Sequence, residues 1–236
     1  MNSDRTVNLA ENPAEAARYA LIRRLLPVLR QHMVVNLQPI GLIYEVLERK
    51  LGGPEPDLGA IREGLAKINN LARSAVNSCL DVVTWLAPDA RATTGVGPGV
   101  ADCLEMLSGD FQFRGFTVSS EIGDTAFTVL QAAVREVFTA ALLAATDGAA
   151  GPVDLVLSVQ LVPGQALVSI QTRPGRRTGF TTEMAYRALS WNDVFALAGA
   201  HGVVLTLDGP LVTLAFAAST FGGDYASSLG TVPGRG

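Results

Sequence analysis

Apolar residues recur at steps of three and four along residues 22–51: Ile22, Leu25, Leu26, Leu29, Met33, Leu37, Ile40, Ile43, Tyr44, Leu47 and Leu51. That spacing places them on one face of a long helix, and its closeness to a heptad suits a bundle better than a lone surface helix. Asn12-Pro13 supplies the start, with Asn12 as cap and Pro13 in the first turn, where its missing N–H is not needed. Pro27 and Pro39 lie inside this helix, and each removes a backbone hydrogen bond. A second stripe runs over residues 58–86: Leu58, Ile61, Leu65, Ile68, Leu71, Ala75, Cys79, Val83 and Leu86. Between the two, Gly52-Gly53-Pro54-Glu55-Pro56 stops one helix and turns the chain, and Asp57 caps the next. The pair predicts an antiparallel helical hairpin. One hairpin leaves much of its stripe bare. Pairing two hairpins into a four-helix bundle covers it, so residues 13–88 predict a homodimer.

The pattern changes after residue 88. Residues 89–99 are rich in Gly, Thr, Ala and Pro and read as a linker. Residues 100–107 predict a short helix, and residues 116–122 alternate like a strand. Residues 127–146 predict a strongly apolar helix with Val134, Val137, Phe138, Ala141 and Leu142 facing inward. Residues 153–162 and 166–172 form a hairpin pattern around Pro163-Gly164. Residues 191–200 predict a helix capped by Ser190 or Asn192, and residues 203–207 and 211–216 a last hairpin around Asp208-Gly209-Pro210. This order predicts an α+β sandwich over residues 100–218, with helices on one face of a mixed sheet. Residues 1–12 read as a flexible arm and residues 219–236 as a disordered tail.

An apolar fraction of 48% against 17% charged residues supports a sizeable core. A net charge of -4 provides no basic field for nucleic acid. No apolar run reaches the length of a membrane span, and the first residues lack a signal-peptide core. The expectation is a soluble, cytoplasmic protein with neither nucleic acid nor membrane as partner. The two cysteines, Cys79 and Cys103, both fall on apolar stripes and read as small core residues in a reducing compartment. A P-loop, a dinucleotide fingerprint, zinc spacing and a Ser-His-Asp set are absent as recognisable patterns, so no metal and no cofactor is expected.

A long helical hairpin, a linker and this α/β order resemble the core of two-component sensor histidine kinases, over residues 14–217. In that family the hairpin dimerises and carries a phosphoacceptor histidine, and the second domain is a GHKL-type ATPase domain. The resemblance implies a response-regulator receiver domain as partner. The family's phosphoacceptor motif reads His-Glu/Asp-Leu-Arg-Thr/Asn-Pro-Leu. Placing His32 at the histidine puts Val34 and Gln38 at the leucine positions, and Gly41 and Glu45 further down the stripe. Placing Gln31 there puts Met33, Leu37, Ile40 and Tyr44 on those positions and keeps the stripe intact. A slip of one residue turns a helix by about 100°, which would bury Glu45, so the second register is favoured. Gln31 then stands at the phosphoacceptor position and Asn36 in place of the proline. An amide nitrogen is no nucleophile comparable to imidazole, so Gln31 takes no phosphoryl group.

The nucleotide motifs are degenerate too. Ala140 stands where the family's Asn box holds its magnesium-binding asparagine, and it has no oxygen to offer. Glu136 falls at the first position of that box and reads as a helix-surface residue. After the strand of residues 166–172 the family's first glycine box would begin with an aspartate. Here Arg173-Pro174-Gly175-Arg176-Arg177 follows instead, a small basic cluster that reads as a solvated loop. His201, in Ala200-His201-Gly202, resembles the Ala-His-Gly that ends the family's last ATPase-domain helix. The resemblance therefore implies a histidine kinase-like pseudokinase: a dimeric, non-catalytic docking partner of receivers, meeting them through Gln31, Val34, Val35 and Gln38, without autokinase activity. Histidine phosphotransferases share the bundle and a degenerate ATPase fold and relay phosphate between receivers. They remain the alternative, with His32 as phosphoacceptor.

Overall fold

The computed structural model describes residues 12–176, 178–179 and 186–219. The predicted arm apart from Asn12, the predicted tail apart from Ser219, and Arg177 lie outside the described residues. The chain divides into two compact units, one of Leu25–Pro88 and one assembled from Met1–Arg24 and Asp89–Gly236.

The first unit is a helical hairpin. Helix α1 (Pro13–Leu51) enters it at residue 25 and helix α2 (Leu58–Leu86) completes it. Asp57 caps α2 as expected, its Oδ1 accepting from the Ala60 amide at 3.0 Å. On α2 the buried residues are Ile61, Gly64, Ala75 and Val82, with Ile68, Leu71 and Ser78 half-buried beside them. On α1 Leu25, Leu29 and Leu47 are buried, with Met33, Asn36, Ile40 and Ile43 half-buried. Two contacts fix the pairing. Leu47 lies so close to Gly64 that a Cβ there would stand 2.5 Å from its Cδ2. Further along, Asn36 Nδ2 donates to Ser78 Oγ at 2.9 Å.

Each helix also carries a second, exposed apolar stripe: Leu26, Leu37, Tyr44 and Leu51 on α1, and Leu58, Leu65, Val76, Leu80, Val83 and Leu86 on α2. The single stripe expected of α2 mixed these two faces. Cys79 consequently lies exposed rather than in the core. Leu37 and Tyr44, on the stripe that a single hairpin was expected to leave partly bare, are exposed too. Two apolar faces about 100° apart read as one wide stripe when only steps of three and four are counted.

The second unit is an α+β sandwich. Five strands form a mixed sheet in the order β2 (Thr117–Ser120), β4 (Val153–Val162), β5 (Gln165–Pro174), β7 (Leu211–Ala217), β6 (Val204–Asp208). β2 runs parallel to β4, and the other pairs are antiparallel. The β4–β5 hairpin turns at Gly164, whose φ of 77° glycine adopts without strain. Along β4, β5 and β7 every second side chain is buried, so that Leu157, Ile170 and Val212 line up across the three strands. That face shares a core with α3 (Val96–Phe113), with α6 (Trp191–His201) and with a helix in three parts. The three parts are α4 (Gln131–Ala133), a π-helical turn (Val134–Phe138) and α5 (Thr139–Asp147). Val134, Val137, Phe138, Ala141 and Leu142 are buried as expected. Ser190 caps α6 in a capping box with Asp193.

The predicted linker is shorter than residues 89–99. Thr93–Gly95 forms strand β1, which pairs antiparallel with β3 (Thr128–Leu130), and α3 begins directly after it. The glycines misread as linker are sites of close packing. A Cβ on Gly97 would stand 2.4 Å from the Gly123 carbonyl oxygen, and one on Gly99 2.7 Å from Thr94 Cγ2. The helix expected from residue 127 likewise starts with a strand. Residue 219, expected in the tail, is tied down by its amide, which donates to the Thr128 carbonyl at 2.8 Å.

Candidate functional site

In the hairpin, Gln31, Val34, Val35 and Gln38 are all exposed. At 100° per residue they share one arc of α1. This arc lies away from Asn36 and Leu47, which meet α2. His32 lies about 60° beyond Val35 on the side toward Asn36 and is half-buried. The arc therefore presents amides and valines. A third register of the phosphoacceptor motif is anchored on its proline rather than on a histidine. Pro39 at the motif's proline puts Val34 at the histidine and Ile40 at the final leucine. Asn36, at the motif's first leucine, and Ile40 are half-buried, and Val34 is 40% exposed. In this register the half-buried positions fall where the motif is apolar.

In the sandwich, the first turns of α1 bring charges to the helices. Ala17, Ala20, Leu21 and Arg24, one face at steps of three and four, are buried. On the same segment Arg18 Nε donates to Glu136 Oε1 at 2.8 Å. The second oxygen of Glu136 bonds His201 Nε2 at 2.8 Å. Glu136 is thus a buried member of an ion cluster and not the helix-surface residue its spacing suggested. Burial is the strongest influence on its carboxyl and would raise the pKa. The hydrogen bonds and charges of His201 and Arg18 outweigh burial and hold the carboxyl below its ordinary value. Glu136 sits in the π-turn. Such turns, where the i→i+5 pattern inserts a residue, often mark functional sites.

A second cluster lies on the same unit. The Arg24 guanidinium meets Asp147 through Nε (3.3 Å) and Nη2 (3.2 Å), and Asp110 through Nη2 (3.1 Å). Arg114 Nη1 reaches Asp147 at 2.9 Å, and its Nη2 donates to the Thr146 carbonyl. Two cations and two carboxylates balance, which is what permits Arg24 to be buried and the other three to be part-buried. Desolvation lowers the Arg24 pKa most strongly, but Asp147 and Asp110 together raise it above its ordinary value. None of these seven ionic residues except Glu136 and His201 was singled out in the sequence. Arginine at the polar side of an apolar stripe reads as solvated until its partner is known.

Ala140, at the position of the magnesium-binding asparagine, has no exposed surface. Arg173 is exposed and lies opposite Asp154 in the β4–β5 ladder. Gly175 prolongs that hairpin. Its amide donates to the Pro152 carbonyl at 2.9 Å, and a Cβ there would come within 2.7 Å of the same oxygen. The glycine serves a close backbone approach between strands. No hydrogen bond or ion pair joins Arg173 or Gly175 to Glu136 or Ala140 among the described residues. Cys103 is fully buried, and burial pushes its thiol up to about 12, far from a reactive thiolate. Among the described residues, no group of three His, Cys, Asp or Glu could hold a metal, and no helix is long and apolar enough to cross a membrane.

No family model matches this chain, and no curated protein matches it. Solved structures do. The Acinetobacter baumannii histidine kinase AdeS is similar at 14% identity and a TM-score of 0.39, over 75% of this chain and 95% of that one. A bacterial phosphotransferase is similar at 15% identity and a TM-score of 0.36, over 83% and 95%. The mycobacterial sensor histidine kinase MprB is similar at 16% identity and a TM-score of 0.35, over 54% and 99%. At these identities and TM-scores each is a likeness of structure and no more.

Proposed function

We propose that this chain is a dimeric two-component docking protein: a histidine kinase-like core that has lost nucleotide chemistry and offers its hairpin to response-regulator receivers. The observation that carries this reading is the state of the Asn-box positions. Ala140 is sealed in the core and Glu136 is engaged by Arg18 and His201, which leaves neither free to hold magnesium or a phosphate. The exposed second stripe on both helices supports dimerisation, because Leu37, Leu65 and Leu80 otherwise face water. The arc of Gln31, Val34, Val35 and Gln38 is the docking face, and neither Gln31 nor Val34 can accept phosphate in its own register. Mixing the protein with a phosphorylated receiver tests this: a complex forms and no acid-labile label passes to the chain. Calorimetry with ATP and magnesium gives no binding heat at millimolar nucleotide. The second reading, phosphotransfer through His32, is favoured by one observation, the partial exposure of that imidazole beside the arc. Label that is lost in His32→Ala would establish it.

A further inference from the structure

The first turns of α1 are held in an unusual manner for a helix in a domain core. In residues 13–24 the buried apolar side chains are Ala17, Ala20 and Leu21, two of them single methyl groups. Most of what grips the segment is charge and ring contact. Arg18 binds Glu136 in the π-turn, whose other oxygen binds His201 at the end of α6. Arg24 binds Asp110 at the end of α3 and Asp147 at the end of α5. Arg23 lies 5.4 Å from the Tyr186 ring centroid, and Tyr19 packs edge-on against the same ring. Asp147 also accepts from the Leu189 amide. Arg24 and the 186–190 strap therefore share one carboxylate.

We propose that residues 13–24 form a releasable latch on the α/β sandwich. Glu136 and Asp147 are the two catches, and the 186–190 strap loosens when the latch does. The seat is built around the segment's cations. Glu136 receives one guanidinium and one imidazole, and its π-turn adds the extra residue that places it among buried neighbours. Segments held by few apolar contacts are the ones that open without global unfolding. The latch is a property of the sandwich alone and stands whether or not the hairpin docks a receiver.

Hydrogen exchange on the full chain tests it. Arg18→Glu sets a carboxylate against Glu136. It should speed exchange at least tenfold in residues 13–24 and in 186–190, and leave β5 residues 166–172 unchanged. Arg18→Lys, which keeps a cation for Glu136 and leaves His201 its partner, should retain protection to within about threefold. A labelled synthetic peptide of residues 12–26 should bind the Arg18→Glu chain saturably by fluorescence anisotropy. It should not bind the native chain, whose seat is filled. Unchanged exchange in residues 13–24 would overturn the latch. So would faster exchange that extends through β5, since the segment would then be a fixed part of the core. Failure of the peptide to bind an otherwise folded Arg18→Glu chain would do the same.

Discussion

Replacing Asp147 by alanine isolates what the four-charge cluster contributes. Its side chain has no exposed surface and accepts from Arg24 at 3.2 and 3.3 Å and from Arg114 at 2.9 Å. Asp147→Ala leaves two buried guanidinium groups sharing Asp110. Breaking a buried pair by removing one partner costs about 3–5 kcal/mol. For a chain of this size each kcal/mol moves the melting midpoint by about 2–4 °C, so a fall of roughly 6–20 °C is expected by calorimetry or circular dichroism. The cycle is completed by Arg24→Met, which keeps the apolar stem and removes the second cation. The double variant retains a balanced Arg114–Asp110 pair. It should lose less than the sum of the single losses, with a coupling of about 0.5–3 kcal/mol. A midpoint within about 3 °C of native for Asp147→Ala, or strict additivity in the double variant, would refute the cluster as a coupled unit.

Leu37→Glu with Leu80→Glu places two charges on the exposed stripes and none in the hairpin's interior; the chain should stay helical and lose the proposed dimer by light scattering. The Asp193 carboxyl, paired chiefly with Arg187 and also bonded by Ser190, is lowered from 3.8 to about 2. A depressed folded pKa stabilises above the unfolded value and is lost as pH falls, so native stability should drop between pH 3.8 and about 2 more steeply than in Asp193→Asn; parallel acid melting curves would contradict this. Gly115 has a φ of 76° and room for no Cβ, which would stand 2.8 Å from Gly179 Cα, whereas Gly209, at 54°, opens onto free space. Gly115→Ala should cost about 1–3 kcal/mol or more, and Gly209→Ala measurably less, by chemical denaturation.

Most elements were legible in the sequence, but the two three-residue strands were not, and α3 was read as less than half its length. Pro163-Gly164 between two alternating runs announced the β4–β5 hairpin, and Ser190 ahead of Trp191 announced α6, because turn and cap chemistry are local. Thr93–Gly95 and Thr128–Leu130 are too brief for any alternation to develop, and only their pairing with each other makes them strands. Gly97 and Gly99 looked like flexibility because sequence cannot distinguish a glycine chosen for freedom from one chosen for contact. The same limit hid most of the site. Arg18, Arg24, Asp110 and Asp147 are far apart in the chain, and nothing near any of them names its partner. His201 and Glu136 were noticed through a resemblance, yet their contact with each other and with Arg18 is a tertiary fact.

The division of α1 at residue 24 has a consequence for the order of assembly. The sandwich is discontinuous in sequence: its opening piece precedes Leu25–Pro88, and the remainder follows. The hairpin is thus an insertion whose own contacts are nearer in sequence, and it closes a shorter loop than Arg18 needs to reach Glu136. On the ribosome, where chains emerge at about 5–20 residues per second, the first turns of α1 are made early. Their seat is incomplete until α6, which brings His201 to Glu136, has been synthesised. Those turns must wait without their complete seat for roughly ten to forty seconds at that rate, and the exposed, arginine-bearing nascent segment is the stage at which a chaperone or a neighbouring chain would intervene.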